Sequence, residues 1–215
     1  MKGVMSKIHL DILDEKQQVV FSKLSFFKRY GYLARGTALA LQIQHRKSFD
    51  FDVFVKKSVD RNLKNKIKKV FGNVTYYVDT SDQVSFKTKD DISVTFVWYP
   101  YLHLFSLVRT SSISLSIVND IAADKAHTIG RRAVWRDYVD LFILLRKRFT
   151  TLKQICGLAG KKFGGEFNEA LFLEQFCYFK DLSISPIEFL KDQYTPKEIQ
   201  SFLEKEIKKY LVKIV

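Results

Sequence analysis

Residues 32–54 read YLARGTALALQIQHRKSFDFDVF, and this stretch decides the fold. Residues 32–34 form a short apolar strand candidate, and residues 38–42 are good helix formers. Residues 49–55 alternate in polarity and are rich in Phe and Val, which predicts a second strand. The turn Gly36-Thr37 therefore joins a strand to a helix, and a strand with the pattern D-x-D follows.

The D-x-D strand carries two carboxylates on one face. Asp50 and Asp52 point the same way because successive side chains of a strand alternate, and Ser48 and Arg46 are in register behind them. Two adjacent carboxylates repel each other, and Mg²⁺ is the usual compensating ion. Such an ion orients phosphate oxygens and stabilises charge during phosphoryl or nucleotidyl transfer. We therefore predict that Asp50 and Asp52 bind Mg²⁺ and act in catalysis.

The Gly36-Thr37 turn precedes a predicted helix. Glycine lets a phosphate approach the backbone, and the helix N-terminus offers free N–H groups and the positive end of a dipole. Thr37 can add a hydroxyl. Turn and D-x-D strand together predict a nucleoside triphosphate (NTP) site that includes Gly36, Thr37, Arg46 and Ser48. Each motif alone is common on protein surfaces, so the prediction depends on their order and spacing.

The chain as a whole shows two patterns of predicted secondary structure. Up to residue 117, strands alternate with helices, which predicts an α/β (α+β) region with a mixed sheet and flanking helices. Residues 118–215 read as helices throughout and are expected to pack on the first region, because no Gly/Ser/Pro linker separates the two. The further predicted helices cover residues 12–30, 58–71, 119–131, 133–148, 152–163, 166–179, 186–193 and 197–215, and the further strands cover 74–79, 84–88, 92–98 and 113–117.

Composition excludes several classes of protein. The 215 residues are 47% hydrophobic and 27% charged, which excludes global disorder, and no apolar run is long enough to span a membrane. No signal peptide is expected, because the acidic residues Asp11, Asp14 and Glu15 fall where its apolar stretch would lie. Cys156 and Cys177 form no C-x-x-C motif and are predicted to be small buried side chains in a reducing, cytoplasmic setting. The net charge of +13 favours a polyanionic ligand.

A second charged motif lies in the helical part. It combines Lys125 on one predicted helix with Arg136-Asp137 and Asp140 on the next. Asp137 and Asp140 are three residues apart and so share a helix face. A lysine is a point charge suited to a triphosphate, whereas an intrahelical lattice in which Arg136 pairs with Asp140 is the structural alternative.

These two motifs resemble the nucleotidyltransferase family of the AbiEii/AbiGii toxins. That family has a glycine turn, a helix beginning with Thr-Ala-Leu, then His-Arg-x-Ser-x-Asp-x-Asp; here residues 36–41 and 45–52 match. The family then carries a Lys on one helix and an Arg/Lys-Asp-x-x-Asp-Leu run on the next. The resemblance implies that Lys125 contacts the nucleotide phosphates, that Asp137 completes the catalytic site, and that the chain is a toxin neutralised by a separate antitoxin.

Two departures from the family stand out. Arg35 occupies the position of the first glycine, which either alters the phosphate turn or adds a cation near the phosphates. Polymerase-type sites also add a third carboxylate on a later strand, where this chain has Thr95, whereas Asp90 and Asp91 come too early. Some relatives of this type lack the third acid as well.

Other features are open to two interpretations. Lysines in residues 64–69, Lys161-Lys162 and Lys208-Lys209 are either phosphate contacts of an RNA or solvated helix faces. The aromatic side chains in residues 98–105 either stack on a base or belong to the core.

The leading hypothesis is therefore a Mg²⁺-dependent nucleotidyltransferase that moves a nucleotidyl group from an NTP to an acceptor such as tRNA. The alternatives are a catalytically impaired protein of the same fold that binds nucleotide, and an RNA-binding protein in which the D-x-D is incidental.

Overall fold

The structure is a computed structural model that describes residues 8–212. Its residues cluster into two compact units. The first contains the chain up to Tyr101 together with Ser106–Ile117, and the second contains Leu102–Phe105 together with the chain from Val118 onward. The predicted packing of the helical part on the first unit stays a prediction.

A five-stranded mixed sheet forms the centre of the first unit. The strands, in chain order, are β1 (Gly31–Leu33), β2 (Phe51–Val55), β3 (Tyr76–Asp79), β4 (Gln83–Lys87) and β5 (Ser93–Trp98). Their order across the sheet is β1-β2-β5-β4-β3, in which β2 and β5 are parallel and the other pairs are antiparallel. The predicted mixed sheet with flanking helices is therefore confirmed.

Three helices flank this sheet. They are α1 (Glu15–Lys23), α2 (Arg35–Ile43) and α3 (Arg61–Phe71), with 3₁₀ turns at Leu10–Ile12 and Leu24–Phe27. An aromatic cluster fills the space between helices and sheet: Phe27 lies 4.7 Å from Phe96 and 6.0 Å from Phe71, and Phe71 lies 5.2 Å from Phe86, between ring centroids. These contacts put α3 on the sheet face to which Phe86 and Phe96 point.

The second unit is helical. It contains α4 (Val118–Ile129), α5 (Trp135–Arg146), α6 (Leu152–Phe163), α7 (Glu169–Cys177) and α8 (Pro196–Val212). Helix α6 begins with a capping box, in which the Thr151 side chain accepts from the Gln154 backbone and the Gln154 side chain accepts from the Thr151 backbone. No described helix is both long and apolar enough to cross a membrane.

Several predicted elements differ in the structure. The helix predicted for residues 12–30 is interrupted by the 3₁₀ turn at Leu24–Phe27, and α3 is capped by Asp60, whose carboxylate accepts from Leu63 N, so it begins later than predicted. Residues 180–195 contain no helix, because almost no apolar side chain of this segment is buried and packing therefore does not stabilise one. The last predicted strand is reduced to isolated bridges from Leu115 to Leu33 and Val108.

Candidate functional site

The start of α2 is attached to the D-x-D strand. The Ala34 backbone N–H, just before the helix, donates to the Asp52 carbonyl over 2.9 Å. The next residue, Arg35, has a φ of +56°, in the left-handed region that favours glycine. The resemblance predicts a glycine at this position, and the backbone angle of Arg35 is one that a glycine adopts without strain.

Thr37 connects the helix to the segment before β2. Its Oγ1 lies 2.8 Å from Ser48 Oγ and also contacts the Asp50 carbonyl oxygen. The residue is only 2% exposed. The Thr37 hydroxyl therefore holds the Ser48 side chain and the Asp50 backbone in place, so that the role of Thr37 seen here is positional.

Gly36 makes room for Arg46. A Cβ atom at Gly36 would lie 2.8 Å from Arg46 Nη2 and 3.2 Å from Ser48 Oγ. Arg46 is 3% exposed, and its Nη1 donates to the Lys47 carbonyl over 2.9 Å. A buried guanidinium thus lies beside the N-terminal turn of α2, whose free N–H groups favour anions. The predicted residues Gly36, Thr37, Arg46 and Ser48 are brought together.

The two carboxylates lie at the entrance to β2. Asp52 is in the strand with its side chain 18% exposed, and Arg35 Nη1 lies 3.2 Å from its Oδ1. Asp50 precedes the strand and is half-buried. The charge of Asp50 acts on Lys87. The pKa of Lys87 is raised, first by its hydrogen bond to Asp91 and to a smaller extent by the charge of Asp50.

Hydroxyl groups occupy the place of a third carboxylate. Thr95 on β5 is the register partner of Asp52, and its Oγ1 lies 2.9 Å from Ser85 Oγ on β4. Asp91 instead lies in the turn after β4, where it pairs with Lys87 at 2.8 Å. Across residues 8–212 the structure contains no group of three or more His, Cys, Asp or Glu side chains that could hold a metal ion.

Lys125 and the two aspartates of α5 form an ion cluster in the second unit. Lys125 Nζ lies 2.5 Å from Asp137 Oδ1 and 2.6 Å from Asp140 Oδ2. The Lys125 side chain is 6% exposed, and that of Asp140 is fully buried. The predicted motif is therefore assembled, with Lys125 bridging α4 and α5. This geometry fits a structural role, and a contact of Lys125 with phosphate stays a proposal.

A second ion cluster in the same unit was missed by the sequence analysis. Lys162 Nζ lies 3.0 Å from Asp120 and 2.5 Å from Asp124, and the Lys162 side chain is only 1% exposed. Asp120 also accepts from the backbone N–H groups of Leu104 and Phe105, each over 3.1 Å. Reading Lys162 as part of a solvated helix face was therefore wrong; the i, i+4 spacing of Asp120 and Asp124 indicates a place for a cation but does not identify which one.

Ionised Asp120 is strongly stabilised. Burial opposes its charge, but the imidazole of His103, with Nδ1 3.5 Å away, the Leu104 backbone N–H and the ammonium group of Lys162 outweigh burial and lower the pKa of Asp120 to about 2. The cluster therefore joins Leu102–Phe105 to α4 and α6, the helices that carry its other members.

The cysteines and aromatic residues differ in environment. Cys156 is buried, and burial raises the pKa of its thiol to about 12, whereas Cys177 is exposed, contrary to the prediction that both are buried. Tyr99 stacks on Phe54 with ring centroids 4.2 Å apart, and Tyr101 packs edge-on against Tyr99. Tyr99 thus belongs to the small cluster around Tyr32 and Phe54.

Comparison with solved structures identifies the fold. A protein from H. pylori described as a candidate nucleotidyltransferase superposes with a TM-score of 0.61 at 16% identity, over 94% of this chain and 99% of that one. MenT4, a nucleotidyltransferase toxin from Mycobacterium tuberculosis H37Rv, gives 0.57 at 15% identity, over 89% and 80% of the two chains. JHP933 from Helicobacter pylori gives 0.52 at 14% identity, over 94% and 97%.

Sequence comparison adds a relative. The uncharacterized protein aq_aa25 of Aquifex aeolicus (strain VF5) is 30% identical over 185 residues, which cover 84% of this chain and 87% of that protein. No protein-family model matches the chain, so the specific resemblance to the AbiEii/AbiGii toxins stays a prediction. The chain has a nucleotidyltransferase fold and belongs to the same family as aq_aa25.

Proposed function

We propose that the protein is a nucleotidyltransferase that moves a nucleotidyl group from an NTP to an acceptor. The observation that carries the proposal is the attachment of the α2 N-terminus to the Asp50–Asp52 segment, through the Ala34–Asp52 and Thr37–Ser48 contacts. It holds an anion-favouring helix end, a buried guanidinium and two carboxylates in one small region of the first unit. The fold shared with described nucleotidyltransferases supports the same reaction.

Different residues of the chain would bind the phosphates and the metal ion. The backbone at Gly36, the guanidinium of Arg46 and the hydroxyl of Ser48 would bind phosphate oxygens. In the transfer, an acceptor hydroxyl attacks the α-phosphorus and passes its proton to water. A new P–O bond forms, the bond to the bridging oxygen breaks, and pyrophosphate leaves.

The oxygen-rich surroundings of β2 fit Mg²⁺. Asp50 and Asp52 supply carboxylate oxygens, and the neighbouring Thr95 and Ser85 supply hydroxyls, which are all hard donors of the kind this ion prefers. Asp50 and Asp52 would hold the ion. When bound, it would neutralise phosphate charge and stabilise the charge that develops on the leaving pyrophosphate.

The biological role that fits this reaction is that of a toxin. MenT4 is described as a nucleotidyltransferase toxin, and the resemblance in the two sequence motifs points the same way. The acceptor would then be an RNA such as tRNA, and a separate antitoxin protein would neutralise the activity. The net charge of +13 is consistent with a polyanionic acceptor.

A second candidate is a nucleotide-binding protein without transfer activity. The ion pair between Arg35 and Asp52 and the hydroxyl of Thr95 at the third acidic position favour it. Such a protein would bind Mg²⁺ and NTP but transfer no label to any acceptor. An RNA-binding protein in which the D-x-D pattern is incidental would bind RNA with the same affinity with or without Mg²⁺ and NTP.

Titration calorimetry with each NTP, with and without Mg²⁺, tests the site. We expect Mg²⁺-dependent binding that Asp52→Asn and Asp50→Asn each weaken at least tenfold, whereas Asp90→Asn in the turn after β4 leaves it unchanged. Equal NTP affinity in all variants, or affinity indifferent to Mg²⁺, would remove Asp50 and Asp52 from the site.

A further inference from the structure

The densest positive charge of the chain lies on and just before α3. Residues 56–69 contain seven Lys or Arg and a single Asp. The one acid, Asp60, is engaged as the helix cap, where its carboxylate accepts from Leu63 N over 2.7 Å. Helix α3 itself contains no acidic residue at all. This concentration of like charge destabilises a helix slightly and is not needed for folding.

The positive charge is presented to solvent. Leu63 and Ile67 are buried and define the inner face of α3. The outer face consists of exposed cationic or amide side chains. Its members are Arg61, Asn62, Asn65, Lys68 and Lys69. Lys68 and Lys69 complement the helix dipole in the last turn, but Arg61 in the first turn opposes it, so capping explains only part of the pattern.

An exposed aromatic ring adjoins one side of this helix. Phe26, in the 3₁₀ turn Leu24–Phe27, is 59% exposed, and Lys66 Nζ lies 5.6 Å from the centre of its ring. A cation beside an exposed aromatic ring is the pairing that proteins use to hold a phosphate and to stack its base. Phe26 together with the outer face of α3 is called here the α3 surface.

The α3 surface is separate from the proposed transfer site. Helix α3 packs on the sheet face to which Phe86 and Phe96 point. In the parallel pair β2–β5, Phe96 is the partner of Val53, whereas Asp52 is the partner of Thr95 and points to the opposite face. The α3 surface therefore cannot hold the triphosphate bound near Asp52, and it suits a longer polyanion.

We propose that the α3 surface binds a single-stranded polynucleotide, with Arg61, Lys68 and Lys69 on phosphates and Phe26 stacked on a base. The proposal rests on the proposed function in one respect, since such a strand would be a remote part of the nucleic-acid acceptor. An acidic protein would also be attracted to the cations, but the exposed ring beside a lysine favours a nucleic acid, whose bases can stack on it. The exposed amides of Asn62 and Asn65 can likewise donate to phosphate or base oxygens.

Fluorescence anisotropy with a labelled 20-nucleotide RNA tests the proposal. Binding is measured without NTP and Mg²⁺, so the result does not depend on whether the protein catalyses nucleotidyl transfer. The variant is Arg61→Gln, Lys68→Gln, Lys69→Gln. The control is Lys205→Gln, Lys208→Gln, Lys209→Gln on α8, which removes the same charge from three exposed positions elsewhere. A DNA strand of the same sequence, an RNA duplex and polyglutamate serve as further ligands.

We expect the α3 variant to weaken RNA binding at least tenfold at low salt and to lower the slope of log K against log salt by about 2, as three lost phosphate contacts predict. The α8 control should change affinity less than threefold. Phe26→Ala should weaken the single strand about tenfold and leave the duplex unchanged. A preference for RNA over DNA would fit an RNA acceptor, and equal affinity would fit a generic single strand; both support the proposal.

Three results would overturn it. The α3 and α8 variants could lose affinity equally, which would mean a diffuse charge effect. Wild-type protein could fail to bind either strand. The α3 variant could lose polyglutamate binding while keeping RNA affinity, which would assign this surface to an acidic protein partner.

Discussion

The guanidinium of Arg35 lies 3.2 Å from the carboxylate of Asp52, the residue that we propose as a metal ligand. The same guanidinium stands 5.4 Å from the centre of the Phe54 ring. The Arg35 side chain is 42% exposed, so solvent screens the pair and it contributes only about 0–1 kcal/mol. Such a weak pair can be displaced by a cation, and Arg35 could then turn to a phosphate.

Replacing Arg35 separates its backbone cost from its side-chain role. Arg35→Gly removes the penalty of a φ of +56°, whereas Arg35→Ala keeps it, so we expect the glycine variant to be more stable than the alanine variant by about 1 kcal/mol in urea unfolding. Both variants remove the guanidinium from Asp52 and should bind Mn²⁺ more tightly than wild type when no nucleotide is present, as measured by electron paramagnetic resonance. Unchanged Mn²⁺ affinity would show that Arg35 does not compete with metal.

Thr95→Asp tests whether the missing third carboxylate limits metal binding. Thr95 pairs in register with Asp52, so an aspartate there would add its charge to the proposed site. We expect Mn²⁺ affinity to rise about tenfold, or about 1.4 kcal/mol, for a gained carboxylate ligand. The matched control is Thr95→Asn, because asparagine has the shape of aspartate without its charge. An equal effect of both variants on Mn²⁺ affinity would contradict the interpretation.

Lys125→Met tests the ion cluster of α4 and α5. The substitution leaves Asp137 and the fully buried Asp140 without their lysine, which should cost about 3–5 kcal/mol in unfolding free energy. Lys161→Met, at an exposed position of α6, should cost under about 0.5 kcal/mol. If Lys125→Arg keeps stability but lowers NTP affinity, the lysine also contacts the nucleotide; intact affinity leaves it a purely structural residue.

Asp120 predicts acid sensitivity of the second unit. Its pKa of about 2 lies below its ordinary value of 3.8, so its stabilising contribution is complete above about pH 4 and is lost as the pH falls towards 2. The loss amounts to about 2 kcal/mol in unfolding free energy. Urea unfolding between about pH 5 and pH 2.5 should therefore show a shallower pH dependence for Asp120→Asn than for wild type. The exposed control Asp181→Asn should keep the wild-type slope, and identical slopes in all three proteins would contradict the assignment.

Local patterns predicted much of the first unit. The alternation around Asp52 and the Gly36-Thr37 turn predicted the strand and the helix, because neighbouring residues decide both. The burial of Lys162 could not be predicted, since its partner Asp120 is 42 positions away in the sequence and only folding brings the two together. The φ of Arg35 was equally hidden, because a non-glycine residue gives no local signal for the left-handed region.

The most direct measurement of the central claim is label transfer. Wild-type protein, Asp50→Asn, Asp52→Asn and the control Asp90→Asn would each be incubated with Mg²⁺, total tRNA and the four α-labelled NTPs in turn. The account predicts label on RNA with wild type and with Asp90→Asn, from one preferred NTP, and none with the other two variants. Label transfer that survives the loss of Asp50 or Asp52, or NTP binding by folded wild-type protein without transfer to any acceptor, would contradict the account.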